Sequence, residues 1–450
     1  MNWTQLMSAA RLSTGVDTEP STADARTAFQ RDWDRIIFSN AFRRLHDKTQ
    51  VFPLPDDDVV HSRLTHSLEV ASVGRSLGTM VGEIIRDGSG LPNDLNAAAF
   101  GDVVSAACLA HDIGNPPLGH AGEDAIGRFF RTNQSLLTGF SERQREDLQR
   151  FEGNAQGFRV LTRLQLEEYG GLRLTAATLG AFLKYPREAG KDLESLAGVS
   201  SKKFGAFQGD FETLRNLATI LGLKPYVAST GGRGWSRHPL AYVVEAADDI
   251  CNSILDLEDG VRLRYVSFEE AQRAFYKIAS EATSYSVARY NRFTTDRDRL
   301  GYLRALAIGV LIKESADVFK ACELDLLAGR AVEPFAEKIL HRASLASLLS
   351  IARSKCYSAP DVLEIELSGY DALGGLLKRF AGAALDRKPE KKTLEARVLR
   401  FLQESSLIDK EEEPYPSMLR ITDYVSGMTD RYALSLYQRT SGISIPGRLP

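Results

Sequence analysis

At 450 residues and 43% apolar content, the chain can build one large domain or two to three smaller ones around a sizeable core. A formal net charge of −3 excludes a whole-chain basic signature for nucleic acid, leaving room only for a local basic face. Broken apolar runs, no leader pattern in residues 1–11 and four widely spaced cysteines argue against membrane spans, secretion, and zinc or redox pairs, so a cytoplasmic protein is expected.

In chain order, Leu64, Leu68, Val70, Val73, Leu77 and Val81 recur close to helical spacing and predict a helix over 61–86. Residues 96–111 are nearly all small or apolar and predict a buried helix, entered from Pro92-Asn93-Asp94. Cys108 falls in that helix and Cys251 in a later apolar stretch, where reduced core thiols are the default. Gly114-Asn115-Pro116-Pro117 ends the helix, because proline donates no helical hydrogen bond and restricts the residue before it. Further helices are expected at 121–131, 153–169, 174–184, 240–258, 267–283, 300–328, 331–351, 392–404 and 416–440. Clusters of Val, Ile and Tyr flanked by turns are scarce, so little sheet is expected. Residues 186–205 read as a mobile loop and 387–392 as a charged turn. Gly231-Gly232-Arg233-Gly234 lacks the Gly-Lys-Ser/Thr ending of a phosphate loop and reads as a flexible loop. The expectation is an all-α chain, one helical core with a C-terminal helical extension.

Four of the seven histidines, His61, His66, His111 and His120, fall within 60 residues. His111 and Asp112 end the apolar helix just before the proline turn. Burying two adjacent titratable groups is costly unless something binds them. A divalent cation is one answer; a His–Asp pair capping the helix in solvent is the other. Asp248-Asp249 stand inside the apolar stretch 243–250, and Asp248, Asn252 and Asp256, at i, i+4 and i+8, share one helix face. His66 lies on another helix, with Arg63 one turn earlier. His66, His111, Asp112 and Asp248 thus offer two imidazoles and two carboxylates, leaving positions open for water and substrate. That donor mix suits Mn, Mg, Fe, Co, Ni or Zn. An Arg beside the metal suits an anionic phosphate. His120 and Glu123, at i and i+3, can meet, the carboxylate orienting the ring. Without the metal cluster, the pair reads more simply as a helix-start His with a dipole-favoured Glu.

Seven stretches, 42–52, 61–70, 111–123, 151–156, 183–186, 245–250 and 423–430, resemble those of bacterial deoxyguanosine triphosphate triphosphohydrolases, in family order. His66…His111-Asp112…Asp248 is similar to the metal signature of the wider HD phosphohydrolase superfamily. The resemblance implies an HD-type core over 29–330 and a C-terminal helical region, 331–450, packed on it and completing the substrate pocket or subunit contacts. It implies metal-dependent hydrolysis of a dNTP, dGTP favoured, to deoxynucleoside and inorganic triphosphate by water attack at the α-phosphorus. His66, His111, Asp112 and Asp248 match the family's metal ligands, with Mn or Mg the first choices, and His120 and Glu123 its catalytic pair. His120 would serve as base for the water or acid for the leaving group. Gln50, Arg63, Asn154, Lys184, Tyr185, Asn252 and Asp256 match substrate-facing positions, Lys184-Tyr185 near the triphosphate and Asp256 near the sugar. The resemblance further implies a homo-oligomer, a hexamer or another assembly of dimers, and a dNTP or single-stranded DNA effector. Asn252 departs from the Tyr that many relatives stack on the deoxyribose, and Asn115 and Gly153 stand where some relatives carry His.

Two other readings compete. Another HD phosphohydrolase, a nucleotidase or cyclic-nucleotide phosphodiesterase, would leave the 183–186 and 423–430 stretches unexplained. A catalytically silent nucleotide- or single-stranded-DNA-binding protein would leave four ligand candidates and the His120–Glu123 pair without a task. The basic stretches Arg35…Arg43-Arg44 and Arg233…Arg237-His238 are the candidates for contact with single strands, although such stretches are more often helix faces or phosphate-site walls.

Overall fold

Helix starts in this chain are set by Ser, Thr and Asn side chains that accept the first free backbone N–H groups. Thr27 and Gln30 close a capping box on the Ala28–Ile37 helix. Asn96 accepts from Ala99 N at the start of Ala97–Ala110, and Thr429 caps Asp430–Ser441. A computed structural model describes residues 1–12, 25–53, 59–88, 91, 95–193, 203–385, 393–405, 407 and 413–443. Pro92-Asn93-Asp94 and the 387–392 turn lie outside the described residues.

The architecture is all-α, with a single antiparallel ribbon of Pro225–Val227 and Arg233–Trp235 among the described residues. That ribbon corrects the reading of 231–234 as a loop: Gly231, at φ +90°, makes the turn, while Arg233 and Gly234 belong to the second strand. The 186–205 stretch is corrected in part, since Arg187, Glu188 and Ala189 are buried and Arg187 Nε donates to Lys203 O (2.8 Å). Residues 194–202 lie outside the described set. The expected helix at 153–169 is α-helical only over Gly153–Arg159 and continues as a π turn, because Leu166 and Gly170 take left-handed backbone conformations. The one expected at 331–351 begins only at Arg342, a short 3-10 turn after Pro334 preceding it. The one expected at 416–440 is two helices, Pro414–Ser426 and Asp430–Ser441, because Thr429 caps the second. Periodicity did not point to Ala28–Ile37, Glu142–Gln149, Phe211–Leu221 or the long Pro360–Leu385. In the last, Gly369 packs on Leu118 and Gly375 on Tyr437, so glycines serve as close-contact points rather than breakers.

The largest apolar cluster is centred on the Arg63–Gly88 helix lying against Ala97–Ala110, with Pro239–Arg262 across both. Gly74, Gly78 and Gly82 recur every four residues on the first of these and let the helices meet at backbone distance. A Cβ at Gly78 would sit 2.9 Å from Phe100 O, and one at Gly82 2.6 Å from Ala97 O. A second cluster joins Phe129, Phe130, Phe151 and Phe207 to Phe380, Met418 and Val425 of the C-terminal helices. Among the described residues no helix is long and apolar enough to cross a membrane.

The glycine stripe yields a stability prediction. Gly82→Ala gains helix propensity yet forces the two backbones apart, so urea unfolding should show a loss of about 1–3 kcal/mol. Gly88→Ala, whose Cβ meets nothing within 4 Å, should be neutral or stabilising. Equal effects at both positions would show that the close approach carries no energy.

Candidate metal centre and active site

Three helices deliver four polar side chains to one point in this apolar interior. His66 lies in the first turn of Arg63–Gly88, His111 caps the C-terminus of Ala97–Ala110 with Asp112 next to it, and Asp248 is midway along Pro239–Arg262. His111 Nδ1 donates to Cys108 O (2.6 Å), which turns Nε2 toward Asp112 Oδ1 and Asp248 Oδ1, each at 3.5 Å. His66 Nε2 lies 3.2 Å from the same Asp248 oxygen. His66, His111 and Asp112 hold donor atoms all within 4.8 Å of one another, a spacing that can hold a metal ion. The nitrogen and oxygen donors suit a divalent cation without choosing one. Asp112 Oδ2 is buried and, although 2.8 Å from Arg63 Nη1, receives no well-directed hydrogen bond. Gln50 Oε1 and Arg63 Nε on the same cavity wall are likewise buried and unpartnered. Orphaned polar atoms gathered at one place call for a ligand.

Electrostatics fit such a centre. Burial would lower the His111 pKa, but the Asp112 and Asp248 carboxylates outweigh it and hold the ring up at about 9. Burial would raise both carboxylates, yet His111 and His66 bring Asp248 well below the usual range, and Arg63, His111 and His66 lower Asp112. A divalent cation would take over the role of the imidazolium proton in balancing these acids.

His111, Asp112 and Asp248 border a cavity of about 530 Å³, within the range of small-molecule sites, and His66 is buried behind them against Asp248. On one wall Gln50 Nε2 donates to Asn252 Oδ1 (3.0 Å), and Asn252 Nδ2 donates to Asp248 Oδ1 (2.8 Å), so position 252 supports the metal-side carboxylate. Opposite stand Asn154, Lys184 and the buried Tyr185, with Lys184 Nζ 3.1 Å from Glu245. Farther along, burial pushes Asp256 up to about 7, and it accepts a hydrogen bond from Tyr357. Lys203, Arg353, Tyr357 and Glu366 also line the cavity and were not reached by sequence reasoning. Only the four-residue spacing of Arg353 and Tyr357 after an apolar helix hinted at a shared face.

The His120 ring opens into the cavity, and partial burial with the Lys203 and Arg63 cations holds it below its ordinary pKa. His120 and Glu123 share no hydrogen bond among the described residues. Glu123 Oε1 instead accepts from Gly153 N (2.7 Å) and its other oxygen lies 3.9 Å from Lys203 Nζ. Position 153 must be small there, because a Cβ would come 2.6 Å from that carboxylate. His61 stands apart from the metal cluster, paired with Asp259 (2.9 Å) and Glu69 (3.0 Å). The basic stretches are largely spent internally: Arg35 donates to the Leu172 and Arg173 carbonyls, Arg44 to Gly427 O, and His238 is fully buried on Leu6 O.

The 423–430 stretch secures the cavity from below. Asp430 accepts from Thr49 N (2.8 Å) and Leu118 N (2.9 Å), tying together the two segments that carry Gln50 and His120. Lys48 Nζ donates to Asn115 O (2.5 Å) and Ser426 O (2.9 Å). Asp423 accepts from Arg159 and Gln156, both at 2.9 Å.

Comparison with known proteins agrees with this layout. Residues 63–160 match the HD domain family, and residues 342–439 match the phosphohydrolase-associated domain. A deoxyguanosinetriphosphate triphosphohydrolase-like protein of Synechocystis is 43% identical, over 99% of this chain and all of its own length. One of Pseudomonas aeruginosa is 39% identical over the same shares. A deoxyguanosinetriphosphate triphosphohydrolase of Klebsiella pneumoniae is 31% identical over 95% of this chain and 96% of its own length.

His61 supplies a pH test outside the metal cluster. Burial would lower its pKa, but hydrogen bonds to Asp259 and Glu69 raise it from 6.5 to about 10. A raised pKa stabilises fully below the unfolded value and loses that contribution as pH climbs through the folded one. The advantage of wild type over His61→Gln in urea midpoint should therefore hold below pH 6.5 and shrink steadily toward pH 10. A pH-independent difference would show that the imidazolium pairing contributes nothing.

Proposed function

The chain belongs to the deoxyguanosinetriphosphate triphosphohydrolase-like family of HD-domain phosphohydrolases, and on that premise we propose that this hydrolase cleaves a dNTP, dGTP foremost, to deoxynucleoside and inorganic triphosphate. The observation that carries the reading is one cavity where His111, Asp112 and Asp248, backed by the buried His66, meet an open imidazole and several cations. His66, His111, Asp112 and Asp248 would hold a divalent ion, Mn or Mg foremost, which when bound polarises a phosphate oxygen and lowers the pKa of water.

The other roles belong to the chain's own groups. Arg63, Lys184 and Lys203 offer cations to the oxygens of a triphosphate, and Asn154 and Tyr185 add donors beside them. Lys184 enters as a cation: burial would lower its pKa, but Glu245 raises it. His120, with its pKa held low, is unprotonated at neutral pH and suited to take a proton from water attacking the α-phosphorus. Glu123, fixed on Gly153 N, assists by keeping the His120 helix seated against the 151–156 segment and by facing Lys203. Asn252 and Gln50 orient the Asp248 carboxylate, and Asp256 with Tyr357 forms the polar end suited to a sugar. Arg353, Tyr357 and Glu366 reach this cavity from beyond residue 330, which supports a division into a 29–330 core and a 331–450 region that completes the pocket.

Product analysis tests the proposal. Chelator-treated protein given each dNTP and NTP should be silent, and restored Mn or Mg should release deoxynucleoside and intact triphosphate, fastest from dGTP. Asp112→Ala should abolish turnover, and His120→Ala should cost about 10²–10⁴-fold in kcat. Release of single phosphate or pyrophosphate would assign a different HD chemistry. Tyr357→Phe, which removes one hydrogen bond from the sugar end, should narrow the preference for dNTP over NTP by roughly tenfold. An unchanged ratio would remove Tyr357 from sugar recognition.

A further inference from the structure

Behind the Lys184-Tyr185 wall lies a second cavity, about 260 Å³, between the 225–235 ribbon, the start of the Asp248 helix and residues 329–331. The two cavities share only Lys184 and Tyr185. Five cations, Lys184, Arg187, Lys224, Arg237 and Arg330, line this second space, and no Asp or Glu does. Two acids just outside the wall offset part of that charge. Glu245 takes Lys184 on one oxygen (3.1 Å) and Arg237 on the other (2.8 Å), and Asp325 pairs with Arg330 at the surface. Lys224 has no ion-pair partner among the described residues, and its charge also lowers the Met1 ammonium pKa after burial.

Arg237 is the second, independent observation. Its side chain is only 8% exposed and is held with its guanidinium 5.3 Å from the Tyr185 ring centre and 5.0 Å from that of Tyr242. Its Nη1 reaches Glu245, but its Nη2 is buried and has no hydrogen-bond acceptor. A fixed guanidinium N–H without an acceptor is costly, and an anionic oxygen is the partner its geometry suits. Tyr226 adds a phenol that burial keeps protonated, a further donor on the same wall.

We propose that this second cavity binds a polyphosphate chain, either inorganic or the tail of a nucleoside triphosphate, with Arg237 as its anchor and Lys224 and Arg330 at its mouth. A single carboxylate would leave most of the cations unmatched, whereas linked phosphates place several charged oxygens along one line. Glu245 couples the two cavities, since an anion that claims Arg237 leaves that carboxylate to Lys184 alone.

Calorimetric titration of the full chain in chelator, with sodium tripolyphosphate, dGTP and GTP in turn, tests this without any turnover, so it stands or falls apart from the proposed reaction. Lys203→Ala should weaken tripolyphosphate binding at the active-site cavity and leave a second class of site unchanged. Adding Lys224→Ala and Arg330→Ala, both at exposed positions, should weaken the retained binding at least tenfold. The Lys224→Ala/Arg330→Ala variant with Lys203 intact should keep wild-type turnover and circular dichroism. Displacement of tripolyphosphate by dGTP or GTP in the Lys203→Ala protein would assign the nucleotide tail, and absence of displacement the inorganic chain; both support the site. Loss of all tripolyphosphate binding in Lys203→Ala alone, or retained binding indifferent to Lys224 and Arg330, would overturn it.

Discussion

Two carboxylates, Asp112 and Asp248, are buried where three apolar helices meet, and compensating them sets the terms for everything around them. An ionised acid in such a place is tolerable only if cations and donors are built to face it. That requirement explains why Arg63 is buried, why the His111 ring is pinned to Cys108 O, and why Asn252 spends its amide on Asp248. It also explains Gly119, whose missing side chain leaves room for the Arg63 guanidinium, since a Cβ there would sit 2.5 Å from Arg63 Nη2. The two helices that carry His66 and His111 pack at backbone distance through the Gly74, Gly78 and Gly82 contacts. Fold and charge are one problem here, because loosening the packing would let solvent do what the side chains do.

The second constraint is that the segments carrying these groups come from distant parts of the chain and must be held without a sheet to align them. Buried polar staples supply the alignment. Asp430, 1% exposed, binds the backbone N–H groups of both Thr49 and Leu118, and an alanine there would leave two loops untied. Lys48 is so thoroughly desolvated that its pKa falls to about 7, and it acts as a donor to two carbonyls more than as a charge. Arg159 lies between Asp423 and Asp210, fixing the C-terminal helices to the segment that carries Asn154. The C-terminal region is thus part of the cavity's support as well as of its wall.

Much of this was legible in the sequence where the signal was local. Acids in apolar surroundings, Asp112 just past the end of one helix and Asp248 inside another, betray themselves because burial of charge is rare, and the proline turn after His111 marks a helix end. Spacing along 248, 252 and 256 placed three polar groups on one face, and all three line the cavity. What stayed hidden is non-local. Lys203, Arg353, Tyr357 and Glu366 reach the cavity only through tertiary packing, and beyond the four-residue spacing of Arg353 and Tyr357 nothing in their neighbours distinguishes them from ordinary surface residues. The Pro360–Leu385 helix carries glycines at contact points for Leu118 and Tyr437, a role that only the packing reveals. Glu123 was expected to turn toward His120, but the open space left by Gly153 draws its carboxylate to a backbone N–H instead.

The departure at Asn252 follows from the same logic. Were the residue there a ring, it could cover a sugar face but could not donate to Asp248, so orientation of the carboxylate and shielding of a ligand compete for one position. In this chain the amide takes the first task, and farther along the same helix Asp256 accepts from Tyr357 of the C-terminal region. Burial raises the Asp256 pKa to about 7, so its end of the cavity keeps only part of a negative charge near neutral pH, while Arg63, Lys184 and Lys203 bring cations to the rest of the wall. A ligand with a polyanionic tail and a neutral polar head would meet those cations with its tail and Asp256 with its head. The opposite orientation would bring anionic oxygens against a buried carboxyl and leave the cations facing a group that cannot pair with them.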